Sequence, residues 1–167
     1  MDFSDENLNP LYCAIGKVVC AWASIESFLD FLVLLIFHQF KGKEFAYKQE
    51  IPRSLDNKLK YLIKAFNRIE LLVPLKDTSM PILECISILS VKRHILIHGV
   101  LTNINFEGYD FIKREYGKDF HDIHDLIIRI VDINLLENMS LGLITQLVQL
   151  LGLVVTIHLK QQEYFSK

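Results

Sequence analysis

Near the N-terminus apolar residues recur at alternating steps of four and three: Leu11, Ile15, Val18, Trp22, Ile25, Leu29, Leu32 and Ile36. This is the spacing of a helix-packing seam, and Pro10 after Asn9 reads as a start signal, so a first helix is predicted over about 10–39. Phe28, Phe31, Leu35 and Phe37 widen the apolar surface beyond the seam, so this helix must pack on more than one side. The spacing returns in Leu55, Leu59, Leu62, Phe66 and Ile69 behind a Ser54 cap, predicting a second helix over 54–70. Ser79 and Pro81 open a third through Ile82, Ile86, Leu89 and Leu96, stopped by Gly99, over about 80–98.

Beyond Gly99 the period changes. Residues 100–106 and 109–116 are rich in β-branched and aromatic side chains around Glu107-Gly108, the pattern of a β-hairpin, and 126–131 reads as a third strand. Asp132 or Asn134 then opens a last helix over about 133–163, with Asn134 and Glu137 spaced as a capping box. No repeat or linker interrupts the chain. The expectation is one mainly α domain over 1–167: a helical bundle with a short β-hairpin or three-stranded insert, about 100–131, between the third and last helices.

The last helix raises the question of a membrane span, because 141–159 holds no Asp, Glu, Lys or Arg. Asn138, Gly142, Gln146, Gln149, Gly152, Thr156, Lys160 and Glu163, however, trace one polar stripe at helical spacing. A deeply buried soluble helix with one wet edge is the preferred expectation, and a membrane partner is not expected.

Composition narrows the classes. Apolar residues are 51% of the chain and charged ones 23%, enough core material to exclude disorder. The net charge of −2 argues against a general nucleic-acid coat, but it is unevenly spread. Between Lys41 and Arg68 eight Lys/Arg meet three Asp/Glu, so that segment is +5 and the remainder −7. Lys60, Lys64 and Arg68 lie four apart on one face, either as a solvated surface or as an anion-binding patch. Cys13, Cys20 and Cys85 are an odd number without C-x-x-C spacing, which reads as buried thiols in a reducing cytosol, and the acidic N-terminus does not read as a secretory signal.

The chemically informative stretch is Lys92-Arg93-His94-Ile95-Leu96-Ile97-His98-Gly99. Arg93 interrupts the apolar stripe of Ile82, Ile86 and Leu89, and a guanidinium there needs a partner or a task. His98 falls in the last turn, where its charge can change near neutral pH. Five residues at about 100° each separate the two by roughly 140° around the axis. They converge only if Arg93 curls around the helix, if the last turn loosens at Gly99, or if a second copy completes the site.

Arg93-His94-x-x-x-His98 resembles the Arg-polar-x-x-x-His signature of HEPN domains, and Gly99 is similar to the ending of an uncharacterised bacterial subgroup. The long first helix with Trp22 and Glu26, the basic second helix, the motif helix, the β insert and the final helix extend the resemblance over essentially the whole chain. It implies a four-to-five-helix bundle, commonly a homodimer, often a metal-independent endoribonuclease of toxin-antitoxin or phage-defence systems. Val100 stands where nucleotidyltransferase-paired toxins carry a Tyr, so regulation by adenylylation of that residue is not expected.

The chemistry suits these residues. RNA brings its own nucleophile in the 2′-OH, so a nuclease needs a base, an acid and cations but no metal or other cofactor. Arg93 and His98 are the expected catalytic pair, His94 and Glu26 support them, and Lys60, Lys64 and Arg68 would contact RNA. RNA, a second copy and an antitoxin protein are the expected partners, in the cytoplasm. Three other readings stay open. Arg93 and Glu26 could form a structural ion pair; His94 and His98, with His121, Asp122, His124 or Asp125, could hold a transition metal; or the fold could be a non-catalytic module binding nucleotide, RNA or protein.

Overall fold

Four long helices carry these seams in the computed structural model: α1 (Asp5–Gln39), α2 (Leu55–Arg68), α3 (Lys76–His98) and α4 (Ile130–Phe165). Strands β1 (Val100–Asn105), β2 (Gly108–Arg114) and β3 (Ile123–Ile128) lie between α3 and α4. The structure describes residues 5–105, 108–114 and 123–165; for 5–7, 104, 105, 108, 112–114, 123–128, 130 and 165 it describes the backbone alone. The protein is thus mainly α with a short β insert. Close contacts divide it into two compact units: the start of α1 to Trp22 with Ile88–Leu141, and Ala23–Ser87 with α4 from Gly142 onward.

In α1 the whole predicted seam is buried except Ile15, which is half-buried. Burying a Leu or Ile side chain is worth about 1.5–3 kcal/mol, so this stripe sets the helix's rotation. Its start differs from expectation. The helix begins at Asp5 and runs through Pro10, because a proline in the second turn removes only one ladder bond.

α3 likewise starts at Lys76, before Ser79 and Pro81. Its start signal is Pro74, in a 3-10 turn (Val73–Leu75) whose last residue leads straight into helical Lys76. Ser79 is not a cap; it is buried, with its hydroxyl donating to the Lys76 carbonyl at 3.1 Å. The Ser54 cap of α2 does form, accepting from the Asn57 N–H at 3.3 Å.

At the head of α4 the predicted Asn134–Glu137 box is replaced by an earlier device. The Asp132 carboxylate reaches back to the N–H of Arg129 at 3.1 Å and grips its guanidinium at 3.0 and 3.3 Å. This bond to Arg129 holds the Asp132 carboxyl below the usual carboxylate range.

Only one stripe of α4 is buried, again at three-four steps: Ile133, Leu136, Ser140, Leu143, Leu147, Leu150 and Val154. The expectation of a deeply buried helix is therefore corrected. Every residue of the predicted polar stripe is exposed, but so are Val148, Val155 and Leu159 beside it. The stretches Leu8–Gln39 and Val131–Tyr164 are long and apolar enough to cross a membrane, with 39% and 28% of their most apolar windows buried.

The insert is a three-stranded antiparallel sheet in the order β1-β2-β3. The third strand starts three residues before the predicted 126 and ends at Ile128, because the chain enters α4 at Ile130. Central β2 buries Tyr109 and Phe111. The β1–β2 register slips between Leu101 and Asn103, where the Thr102 hydroxyl donates to the Asp110 carbonyl at 3.1 Å. Of the predicted hairpin turn, Glu107 lies outside the described residues.

In the second unit the turn after α1 brings backbone close to α2. A Cβ on buried Gly42 would collide with the Tyr61 hydroxyl and the Ile36 carbonyl. Lys58, on the apolar stripe of α2, reaches Asp30 of α1 at 2.6 Å. Lys58 is nearly buried and Asp30 half exposed, so solvent screening leaves the pair worth about 1 kcal/mol. The expectation of buried thiols is corrected as well: Cys13 and Cys20 are exposed and Cys85 half-buried, none of them in a disulfide, because the first two lie on the face of α1 away from its seam.

Gly42→Ala is expected to lower stability to urea by about 1–3 kcal/mol. Gly152→Ala in α4, where nothing lies within 4 Å of the new Cβ, is expected to raise it by up to about 1 kcal/mol. The ion pair at Asp132 gives a pH signature with a definite sign. Its lowered folded-state value means the contribution is full above the ordinary Asp range, about 3.9, and is lost as pH falls through the lowered value. The difference in urea midpoint between wild type and Asp132→Asn should therefore be steady near neutrality and shrink in acid.

Candidate functional site

The motif residues occupy the last turns of α3, and the helical ladder does not loosen there. The Gly99 N–H still donates to the Ile95 carbonyl at 2.8 Å. A Cβ at Gly99 would strike that carbonyl oxygen and come within 3.3 Å of the Phe111 Cβ, so glycine is what lets α3 turn directly into β1 against β2. One of the three routes to convergence is thereby removed: a regular helix keeps Arg93 and His98 roughly 140° apart.

What the helix does bring together is His94 and His98. Four residues apart on one face, their rings lie 4.6 Å centroid to centroid, and both side chains are exposed. They stand in the last two turns of α3, at its C-terminal end.

Arg93 is half-buried on the stripe predicted for it, and its guanidinium lies 5.9 Å from the ring centre of buried Trp22. A cation over an indole face gains up to about 2 kcal/mol when desolvated, less than a buried charge loses on leaving water. Among the described residues its buried Nε finds no hydrogen-bond partner and Arg93 forms no ion pair with a carboxylate. Glu26, one turn beyond Trp22, is half-buried and belongs to the other unit.

The predicted RNA-contacting residues lie on α2. Lys60 is exposed and paired with Asp56 at 2.6 Å; Lys64 is half-buried and donates to the Phe45 carbonyl at 3.1 Å. Arg68 is exposed in the last turn. Lys60 and Lys64, with Arg53, line a cavity of about 490 Å³; Arg68 does not. Two features escaped the sequence reading. Arg53 fell in a connector with no periodicity to single it out. The pairing of Lys58 had a signal, since Lys58 falls between Leu55 and Leu62 on the apolar stripe.

Among the described residues no three His, Cys, Asp or Glu side chains gather to hold a metal ion. His121 and Asp122 lie outside the described residues, as do the side chains of His124 and Asp125. Compared with known protein families, characterised proteins and solved structures, the chain matches none.

Proposed function

We propose that the protein is a metal-independent endoribonuclease of the HEPN kind, working from the C-terminal end of α3. The observation that carries this reading is Arg93: a half-buried guanidinium with an unpartnered Nε and no described carboxylate to neutralise it, one turn from an exposed histidine pair. A structural ion pair would have supplied the missing anion. A phosphodiester supplies it instead, through the forked geometry guanidinium shares with phosphate oxygens.

In the proposed reaction His98 takes the 2′-OH proton as that oxygen attacks phosphorus. The bond from phosphorus to O5′ breaks, and the leaving oxygen takes a proton from the His94 imidazolium. The products are a 2′,3′-cyclic phosphate and a free 5′-OH, and Arg93 neutralises the non-bridging oxygens as charge gathers there. Because the regular helix holds Arg93 and His98 on different faces, the site is completed by α3 of a second copy. An apolar row left at the surface of α4, Val148, Val155 and Leu159, supports an association of copies. Cys13, Cys20 and Cys85, none of them in a disulfide, suit the reducing cytoplasm, where RNA substrates and an antitoxin protein would be met.

Incubated with single-stranded RNA and EDTA, the wild-type protein should leave 2′,3′-cyclic phosphate ends. His98→Ala and Arg93→Ala should each cut at least about 100-fold more slowly. No cleavage by the wild type, or equal cleavage by wild type and His98→Ala, overturns the reading. Light scattering at micromolar protein should give twice the chain mass, and a monomer removes the shared site.

A further inference from the structure

The second unit holds a cavity that the chemistry at α3 does not use. Its volume, about 490 Å³, is that of a site for one small molecule. One side is α2, which contributes Asn57, Lys60, Tyr61 and Lys64; the other is the connector from Phe45 to Arg53. Cations outnumber carboxylates in the lining: Arg53, Lys60 and Lys64 against Glu50. Lys60 is held by Asp56 and Lys64 by the Phe45 carbonyl, so both ammonium groups are positioned. Arg53 is exposed, and it pairs with no carboxylate among the described residues.

The connector itself is shaped at a cost. Lys41, Lys48 and Gln49 all adopt left-handed backbone conformations, with φ of 55°, 51° and 57°. Each costs on the order of 1 kcal/mol for a residue with a side chain, and such strain gathers where a chain is held for a ligand. Here it sets Tyr47 at the cavity with the residue 83% exposed. The Phe45 ring and Ile51 and Pro52 supply further apolar surface.

We propose that this cavity binds a small phosphate monoester carried on a flat ring, of which a nucleoside monophosphate is the simplest form. The phosphate dianion goes to Arg53, Lys60 and Lys64. Glu50 accepts hydrogen bonds from sugar hydroxyls, and the base stacks on the Tyr47 ring, against which the Lys48 ammonium lies 5.4 Å from the centre. A free small molecule fits better than an RNA strand. The cavity accommodates one nucleotide, and Arg68, the cation that would extend a track along α2, lies outside it.

The test is calorimetric titration of the intact protein with AMP, GMP, CMP and UMP, alongside the matching nucleosides and inorganic phosphate. At least one monophosphate should bind about tenfold or more tightly than both its nucleoside and inorganic phosphate. Arg53→Gln should weaken that binding by about tenfold and Tyr47→Ala by several-fold, with unchanged melting temperatures because both side chains are exposed. His98→Ala should bind as wild type does, so this result stands or falls separately from RNA cleavage. The proposal is overturned if no monophosphate outbinds its nucleoside and phosphate, or if Arg53→Gln leaves binding intact. It is also overturned if a single-stranded oligoribonucleotide displaces the monophosphate at lower concentration.

Discussion

Each long helix of this protein must bury a narrow apolar seam recurring every three to four residues, and most of the architecture depends on that constraint. The seams of α1 and α4 run nearly end to end, so the rotation of each helix is set along its whole length. A single shift of register would move Val18, Ile25, Leu29 and Leu32 toward water at about 1.5–3 kcal/mol each. Once the seams are placed, the remaining side chains fall on faces they did not choose. That is how Cys13 and Cys20 come to the surface, and how apolar residues beside the polar stripe of α4 remain there.

The seam also explains what is unusual about Arg93. It occupies a position where α3 otherwise places Ile86 and Leu89, so its stem is drawn inward and its guanidinium loses water. Trp22, itself fully packed, offers a π face and no negative charge. Among the described residues no carboxylate completes such a position. The neighbouring imidazoles have the opposite circumstances: exposed, adjacent and at the end of the helix dipole. On the proposed reading Arg93 would take the phosphate and the imidazoles the protons, with a second copy bringing together the two faces that one helix keeps apart.

The basic segment shows how local geometry redistributes a charge pattern. In the sequence it is a run of eight cations against three carboxylates. In the fold Lys58 leaves the surface to meet Asp30, Lys60 is engaged by Asp56, and Lys64 bends to a backbone carbonyl. Gly42, with the Ile36 carbonyl and the Tyr61 hydroxyl where a side chain would go, holds the start of the connector against α1 and α2. That hydroxyl is buried without a hydrogen-bond partner among the described residues, and desolvation pushes its pKa well above the ordinary tyrosine value. The segment is thus tightly packed at one end and left open at Arg53 and Tyr47.

The amino-acid pattern alone determined the helices, their buried faces and the switch to strands after Gly99, because those depend on periodicity and on residues such as Ser54 that act within a turn. It also marked Arg93 as misplaced, since a charge on an apolar stripe is visible in one dimension. Helix starts were less legible: Pro10 and Pro81 sit in second turns, and only the 3-10 turn around Pro74 and the grip of Asp132 on Arg129 show where α3 and α4 begin. The cavity, the pairing of Lys58 and the exposure of the thiols belonged to the tertiary structure alone. They depend on which side chains from distant segments meet, and on which side of a helix is left over once its seam is buried.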